Sequence, residues 1–373
     1  MTLPSISFTA RLSLGFAALF VGAVVAAGTA AAGPVGAKVG AVFTLTNAAA
    51  GNAVLVFDRS SDGTLTPAGS VPTGGVGSGA GLGSQNAVVL SPNGKRLFAV
   101  NAGDNTISAF KVGIGGLTQL GGPVSSGGVA PISLTAHDDL VYVLNAGGGG
   151  SAGNITGFKA RTEGLEQIAG STRPLSGASV DPAQVQFSAN GKLLVVTEKA
   201  TSLIDTYRVT HGLASGPVTQ PSAAATPFGF TFGKRGDLIV SDAVGGAAGA
   251  SGLSSYDVSK DGVLTPITPF LGDTQTAACW VVATKDGRFA YTTNTGSNTI
   301  SIYRTHGDGS LELHDATGAT TGPGPIDEAL AGRYLYALVS GAINAFAVER
   351  NGALTPISGA AGLAAGAVGL AAS

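Results

Sequence analysis

One cysteine, one tryptophan and four histidines in a chain of 373 residues exclude several chemistries at the outset. Cys279 has no partner for an intramolecular disulfide, so stability must come from packing. No spacing of His, Cys and carboxylate residues resembles a zinc site, and neither a metal nor a cofactor is expected. Only 11% of residues are charged, the formal net charge is −2, and basic clusters are missing. Such a chain is a poor electrostatic partner for nucleic acid or anionic lipid. The glycine-rich stretches 74–83 and 147–150 lack the Lys-Ser/Thr ending of a phosphate loop and read as connections. Long apolar runs are scarce. The N-terminal run Leu12–Ala27, preceded by Arg11 and followed by Ala30-Ala31-Ala32, is short for a membrane span and fits a cleaved secretory signal. The expected division is a signal peptide over 1–32, a linker over 33–40 and one domain over 41–373. The mature protein is expected to be secreted, monomeric and free of the membrane.

Glycine, in contrast, is abundant, with 59 residues. It falls at regular offsets beside alternating apolar residues, so it reads as turn chemistry. Seven aromatics, Phe57, Phe110, Phe158, Tyr207, Tyr256, Tyr303 and Phe346, recur at steps of 43 to 53 residues. Each follows an aliphatic residue by three positions and precedes a glycine turn, from Gly63 to Gly352. Short strands, glycine turns and a period in this range predict an all-β, seven-bladed β-propeller of four-stranded antiparallel blades. The turns Asp62-Gly63, Asp261-Gly262, Asp308-Gly309 and Asn351-Gly352 suit type I′ hairpins. The first unit opens on its second strand, near Val42–Asn47, without an innermost strand. The tail Gly366–Ala372 is expected to supply it and close the first blade.

This strand order places the starts of the innermost strands and the second-to-third-strand loops on one face. The second strands end there in Asn47, Asn101, Asn145, Glu198, Asp242, Asn294 and Ser340. Structural capping of loop amides accounts for such Asn residues readily, whereas no turn requires Glu198. The starts of the innermost strands add Gln85, Asn86, Gln184, Phe228, Phe230, Cys279, Trp280 and Asp327. Trp280 is either an aromatic plate for a ring-shaped ligand or a core residue between blades. Cys279 reads as a small buried apolar group. His137, His211, His306 and His314 all fall away from this face, which leaves it without a histidine base.

The segments LSPNGKRLFAVNAGDNTISAF (90–110) and TKDGRFAYTTNTGSNTISIY (284–303) resemble repeats of the lactonase-type seven-bladed propellers. That family includes bacterial phosphogluconolactonases and fungal carboxymuconate-lactonising enzymes and is related to the YVTN propellers. The resemblance covers the mature chain and implies a central-funnel site for a lactone or carbohydrate-like small molecule. Relatives often carry Pro-His where innermost strands begin. Here the pairs are Gln85-Asn86, Pro131-Ile132, Pro182-Ala183, Pro227-Phe228, Cys279-Trp280 and Pro325-Ile326. With Lys199 the only cation of the funnel set, a phosphorylated sugar finds little charge to bind.

Two functional expectations follow. In the first, a secreted lactonase-like hydrolase uses Glu198 or Asp242 to activate water and Lys199 to polarise the carbonyl. Asn101, Asn145, Gln184, Phe228, Trp280 and Asn294 then position the substrate. In the second, the same funnel binds a ligand or partner without catalysis.

Overall fold

The computed structural model describes residues 37–373, so the signal expected over 1–32 lies outside the described residues. Seven antiparallel sheets form a ring of blades. Blade 2 shows the plan: Val88–Leu90 innermost, then Arg96–Asn101, Thr106–Gly113 and Gly116–Ser125 outermost. The fourth strand is broken in two in blade 3, at Gly164–Gln167 and Arg173–Pro174, and in blade 4, at Leu213–Ala214 and Val218–Pro221. Helical structure among the described residues is one turn of 3-10 helix, Val244–Gly246. None of their helices is long and apolar enough to cross a membrane.

Closure follows the expected scheme. The strand Val368–Ala372 pairs antiparallel with the first strand, Lys38–Leu45, in the register Val42↔Ala372, Phe43↔Ala371 and Thr44↔Leu370. The first strand begins three residues before the expected domain start at position 41, because Lys38 still pairs with Ser60. Side chains reinforce the seam. The Ala41 amide donates to Ser373 Oγ at 3.1 Å, Arg59 Nε donates to the Ser373 carbonyl at 2.7 Å, and the Leu370 amide donates to Asp327 Oδ2 at 3.0 Å.

The recurring aromatics pack inside the ring, all seven buried. A second aromatic set stitches neighbours together. Tyr142, Tyr291 and Tyr336 donate their hydroxyls to the carbonyls of Gly212, Gly352 and Gly63, each a turn glycine of the next blade. The Gly63 position tolerates no side chain, since a Cβ there would collide with the Tyr334 ring, and its φ of +85° suits glycine.

The glycine turns differ in type from the expectation. A type I′ turn needs positive φ at both central residues. Gly63, Gly262, Gly309 and Gly352 have it; Asp62, Asp261, Asp308 and Asn351 do not. Amides of Gly63, Gly262, Gly309 and Gly352 bond the carbonyls three residues earlier, which is a type I turn followed by a left-handed glycine. At three of the four turns the Asx side chain drives this choice by accepting the amide two residues on: Thr64 to Asp62 at 3.0 Å, Ser310 to Asp308 at 3.0 Å and Ala353 to Asn351 at 3.1 Å.

Candidate functional site

The innermost strands surround an axial cavity of about 300 Å³ to which all seven contribute lining residues. Its middle layer follows from ladder register. Three residues before the polar series Asn47 to Ser340 stand Thr44, Phe98, Tyr142, Val195, Ile239, Tyr291 and Ala337. Their partners on the innermost strands are Leu370, Val89, Thr135, Gln186, Thr231, Val282 and Glu328. All seven partners line the cavity. One carboxyl, Glu328, therefore faces an arc of neutral polar residues, Thr135, Gln186 and Thr231, contributed by blades 3, 4 and 5. Its own ring neighbours, Val282 and Leu370, are apolar.

On the loop face the axis is covered. The segment Gly83–Asn86, which leads into the innermost strand of blade 2, reaches across to other blades. Ser84 Oγ donates to the Ile132 carbonyl of blade 3 at 2.7 Å, and the Gln85 amide donates to the Ala183 carbonyl of blade 4 at 3.3 Å. Gln85 Oε1 lies so near Gly229 of blade 5 that a Cβ there would strike it. Lys199 Nζ secures this cap by donating to the Gly83 carbonyl at 2.8 Å.

The nine sequence-selected residues divide into three groups. Gln184 lines the axial cavity. Its Nε2 donates to Gln186 Oε1 and to the Phe230 carbonyl, and its Oε1 accepts from the Phe230 amide. Lys199, Phe228 and Trp280 come together beside the cap. Lys199 Nζ sits 4.7 Å from the Phe228 ring centroid and 3.2 Å from Asp181 Oδ1. Phe228 meets Trp280 edge-to-face, with centroids 4.9 Å apart, a geometry that ring quadrupoles favour. Trp280 is buried with its Nε1 unpartnered, so it serves as packing beneath the half-buried Phe228 rather than as an exposed plate. Cys279 is buried next to it, and desolvation pushes its thiol up to about 11, against smaller opposing effects of Thr295 and Lys199. It is no nucleophile at neutral pH.

The remaining five, Asn101, Asn145, Glu198, Asp242 and Asn294, are distributed one to a blade and are fully buried away from the cavity. The asparagines bridge the second and third strands. Asn101 Nδ2 donates to Thr106 Oγ1 and Ser108 Oγ, and Asn294 Nδ2 to Thr299 Oγ1 and Ser301 Oγ. Asn145 Nδ2 donates to the Ser126 carbonyl and to Asn154 Oδ1. Replacing Asn294 by alanine removes two buried hydrogen bonds, although the Thr299 hydroxyl keeps its bond to Gln275 and the Ser301 hydroxyl its bonds to Asp273 and the Ala316 carbonyl. A loss of about 1–3 kcal/mol in urea unfolding is expected, with ligand binding unchanged.

The two carboxylates expected to activate water are also withdrawn from the axis. Glu198 Oε1 accepts the Ser176 amide at 3.0 Å, while Oε2 accepts the hydroxyls of Ser176 and of Thr201, the latter at 2.8 Å. Glu198 and Lys199 form no ion pair: Lys199 lies in the turn just beyond the strand Leu193–Glu198 and reaches Asp181 instead. Beside Glu198 lies Asp205, whose carboxyl is raised to about 6, chiefly by desolvation and further by Glu198, against the pull of Thr219. Asp242 has no hydrogen-bond partner on either oxygen, and burial raises its carboxyl far above the ordinary range. Burial without a donor thus favours its neutral form.

Two acidic residues on the innermost strand of blade 7 complete the set. Asp327 accepts the amides of Glu328 and Leu370, and burial lifts its carboxyl to about 8. Glu328, not selected from sequence, is nearly completely buried with both carboxylate oxygens unpartnered. Its sequence signal is an acid in the short, otherwise mostly apolar strand Asp327–Ala331.

No family model and no curated protein matches the chain. Solved structures do. A candidate 6-phosphogluconolactonase from Bacteroides fragilis aligns with a TM-score of 0.69 at 18% identity, covering 90% of this chain and 98% of that one. A protein from Lactobacillus plantarum aligns at 0.70 and 18%, over 90% and 100%. The periplasmic gluconolactonase of Pseudomonas aeruginosa aligns at 0.65 and 16%, over 89% and 98%. At these identities the likeness is one of fold. The chain is a seven-bladed propeller and shares its fold with these proteins.

Proposed function

We propose that this chain is an exported, monomeric propeller that binds a small uncharged polar ring, a lactone or sugar derivative, at the loop-face mouth beside Phe228. The observation that carries the reading is the Lys199–Phe228–Trp280 cluster against the Gly83–Asn86 cap. There a half-exposed aromatic face lies beside the Asp181 carboxylate and the carbonyls of the cap. An aromatic face with a polar rim suits a ring carrying hydroxyls. The Lys199 charge is already compensated by Asp181, which disfavours a phosphorylated ligand.

Binding is favoured over hydrolysis because hydrolysis needs a base within reach of a bound water. Glu198 and Asp242 are consumed inside the blades, and no histidine approaches the axis among the described residues. The hydrolytic reading keeps two supports. The fold is shared with a protein named as a periplasmic gluconolactonase, and Glu328 is the one carboxyl lining the axial cavity.

The deciding experiment screens a panel of lactones by pH-stat, with ligand binding followed by thermal shift and calorimetry. The expected result is binding without turnover, weakened about tenfold by Phe228→Ala through loss of roughly 1–1.5 kcal/mol of ring contact. Turnover that disappears in Glu328→Gln, with the fold intact, overturns the binding reading.

A further inference from the structure

We infer that the axial cavity is a cation site, in which the Glu328 carboxylate holds one hard, oxygen-seeking divalent cation against the polar arc formed by Thr135, Gln186 and Thr231. The inference goes beyond ligand capture at the mouth and concerns a separate space beneath the cap.

Four observations carry it. First, Glu328 is only 2% exposed, and neither carboxylate oxygen has a hydrogen-bond partner. An acid left bare in a protein interior is costly unless it is neutralised or paired. Second, ladder register sets it in the ring that lines the cavity, facing oxygen-bearing side chains across the axis rather than a packed wall. Third, a second acceptor that lines the same cavity, Gln85 Oε1 at the capped end, is likewise buried and unpartnered. Fourth, no Lys, Arg or His lines the cavity to supply the missing positive charge. Two orphan acceptors and no cationic side chain in one space call for a cation from solution.

The chemistry of the donors selects the ion. Carboxylate and neutral oxygens without thiol or imidazole favour a hard ion of the calcium type over a transition metal. The cavity, about 300 Å³, holds on the order of ten waters at ~30 Å³ each, so water completes the coordination shell. With one carboxylate only, affinity falls at the weak end for calcium modules, about 10⁻⁴–10⁻³ M.

The probe is calcium chloride, added to the mature protein at pH 7.5 and compared with sodium chloride at equal ionic strength. At about ten times the dissociation constant, preferential binding to the folded state should raise Tm by about 2 °C. Glu328→Gln should abolish this response, and its own Tm without calcium should stay close to that of the parent, because burial holds the cation-free carboxyl toward its neutral form and the amide is a neutral replacement of similar size. Thr231→Val should weaken the response severalfold without removing it. Equilibrium dialysis with radioactive calcium should reach one ion per chain. No calcium-dependent shift in the parent protein, or an equal shift in Glu328→Gln, overturns the proposal. Should Glu328→Gln fail to fold, dialysis of the parent decides alone, and occupancy that stays near zero at millimolar calcium overturns it too. None of these arms uses an organic ligand, so their failure leaves the mouth reading standing.

Discussion

A chain ending at residue 365 is expected not to accumulate as a cooperatively folded protein. The missing piece is the innermost strand of blade 1, and its removal leaves the first strand, Lys38–Leu45, without its inner partner. Val368 and Leu370 are buried, and losing those two side chains alone forfeits about 3–6 kcal/mol of apolar burial. The same cut removes the acceptors for Ala41 and Arg59 and the Leu370 amide that Asp327 accepts. Total stability of a domain is typically about 5–15 kcal/mol, so the loss is comparable with all of it. An open sheet edge would also be exposed next to two unpaired ring ends, an aggregation template. Size-exclusion chromatography and a thermal melt followed by circular dichroism test this. A truncated protein that is monomeric with a sharp transition within a few degrees of the parent would show that the ring closes by other means. Adding the peptide for residues 366–373 in trans should restore part of the lost stability if the strand acts through pairing.

Stability is expected to fall as pH rises from about 4 to 8, the reverse of what surface carboxylates produce. The sign follows from the buried acids. Asp205 titrates at about 6 and Asp327 at about 8 in the folded protein, each raised mainly by desolvation from an ordinary value of 3.8. Between the unfolded and folded values the native state holds protons that the unfolded chain has released. The favourable contribution is complete below about 4, that of Asp205 is lost by about 6, and that of Asp327 by about 8. At about 1.4 kcal/mol per unit, the two together are worth several kcal/mol, on that order and no finer. Urea unfolding at intervals between pH 4 and 9 measures the slope. Asp327→Asn should flatten the upper part of the curve and Asp205→Asn the lower part. Asp327→Asn should in addition be less stable at pH 5, because an amide cannot accept both the Glu328 and Leu370 amides. A wild-type profile that rises steadily to pH 8 would contradict the assignment of these acids as neutral interior groups.

The architecture was legible in the sequence because a propeller writes its period many times. Phe110 and Tyr303, each followed by a glycine turn and preceded by an isoleucine, occupy the same place in their blades, and the structure buries both. The absence of a strand before Val42 was likewise enough to send the C-terminal tail to it. Side-chain direction was harder to read. Glu198 and Asp242 end second strands on the expected face. The pleat nevertheless turns them into the blades, where Val196 and Val240 two residues earlier are buried as well. Register shifts between Pro131 and Ser133, Pro182 and Gln184, Pro227 and Phe230, and Ala278 and Trp280 further displace which innermost residues face the axis. No periodic signal reports such bulges. The cap was missed for another reason. Gly83–Asn86 belongs to a long connection unique to one unit, so repetition carries no information about it. Glu328 had a readable signal, an acid within an innermost strand, but only the ladders put it in the cavity ring.

The segment over the axis also bears on how this protein can change in evolution. Rings of identical wedges that touch only their neighbours gain or lose a wedge by duplication or deletion, since each joint is local. The Gly83–Asn86 bridge is not local: it starts in blade 2 and bonds blades 3 and 4 while resting on Gly229 of blade 5. Its reach is that of a few extended residues. A wider circle would pull Ala183 and Gly229 out of range, and a narrower one would drive Gln85 into the opposite wall. The span thus acts as a gauge on circumference, and a homologue with another number of sectors would have to lose or rebuild it.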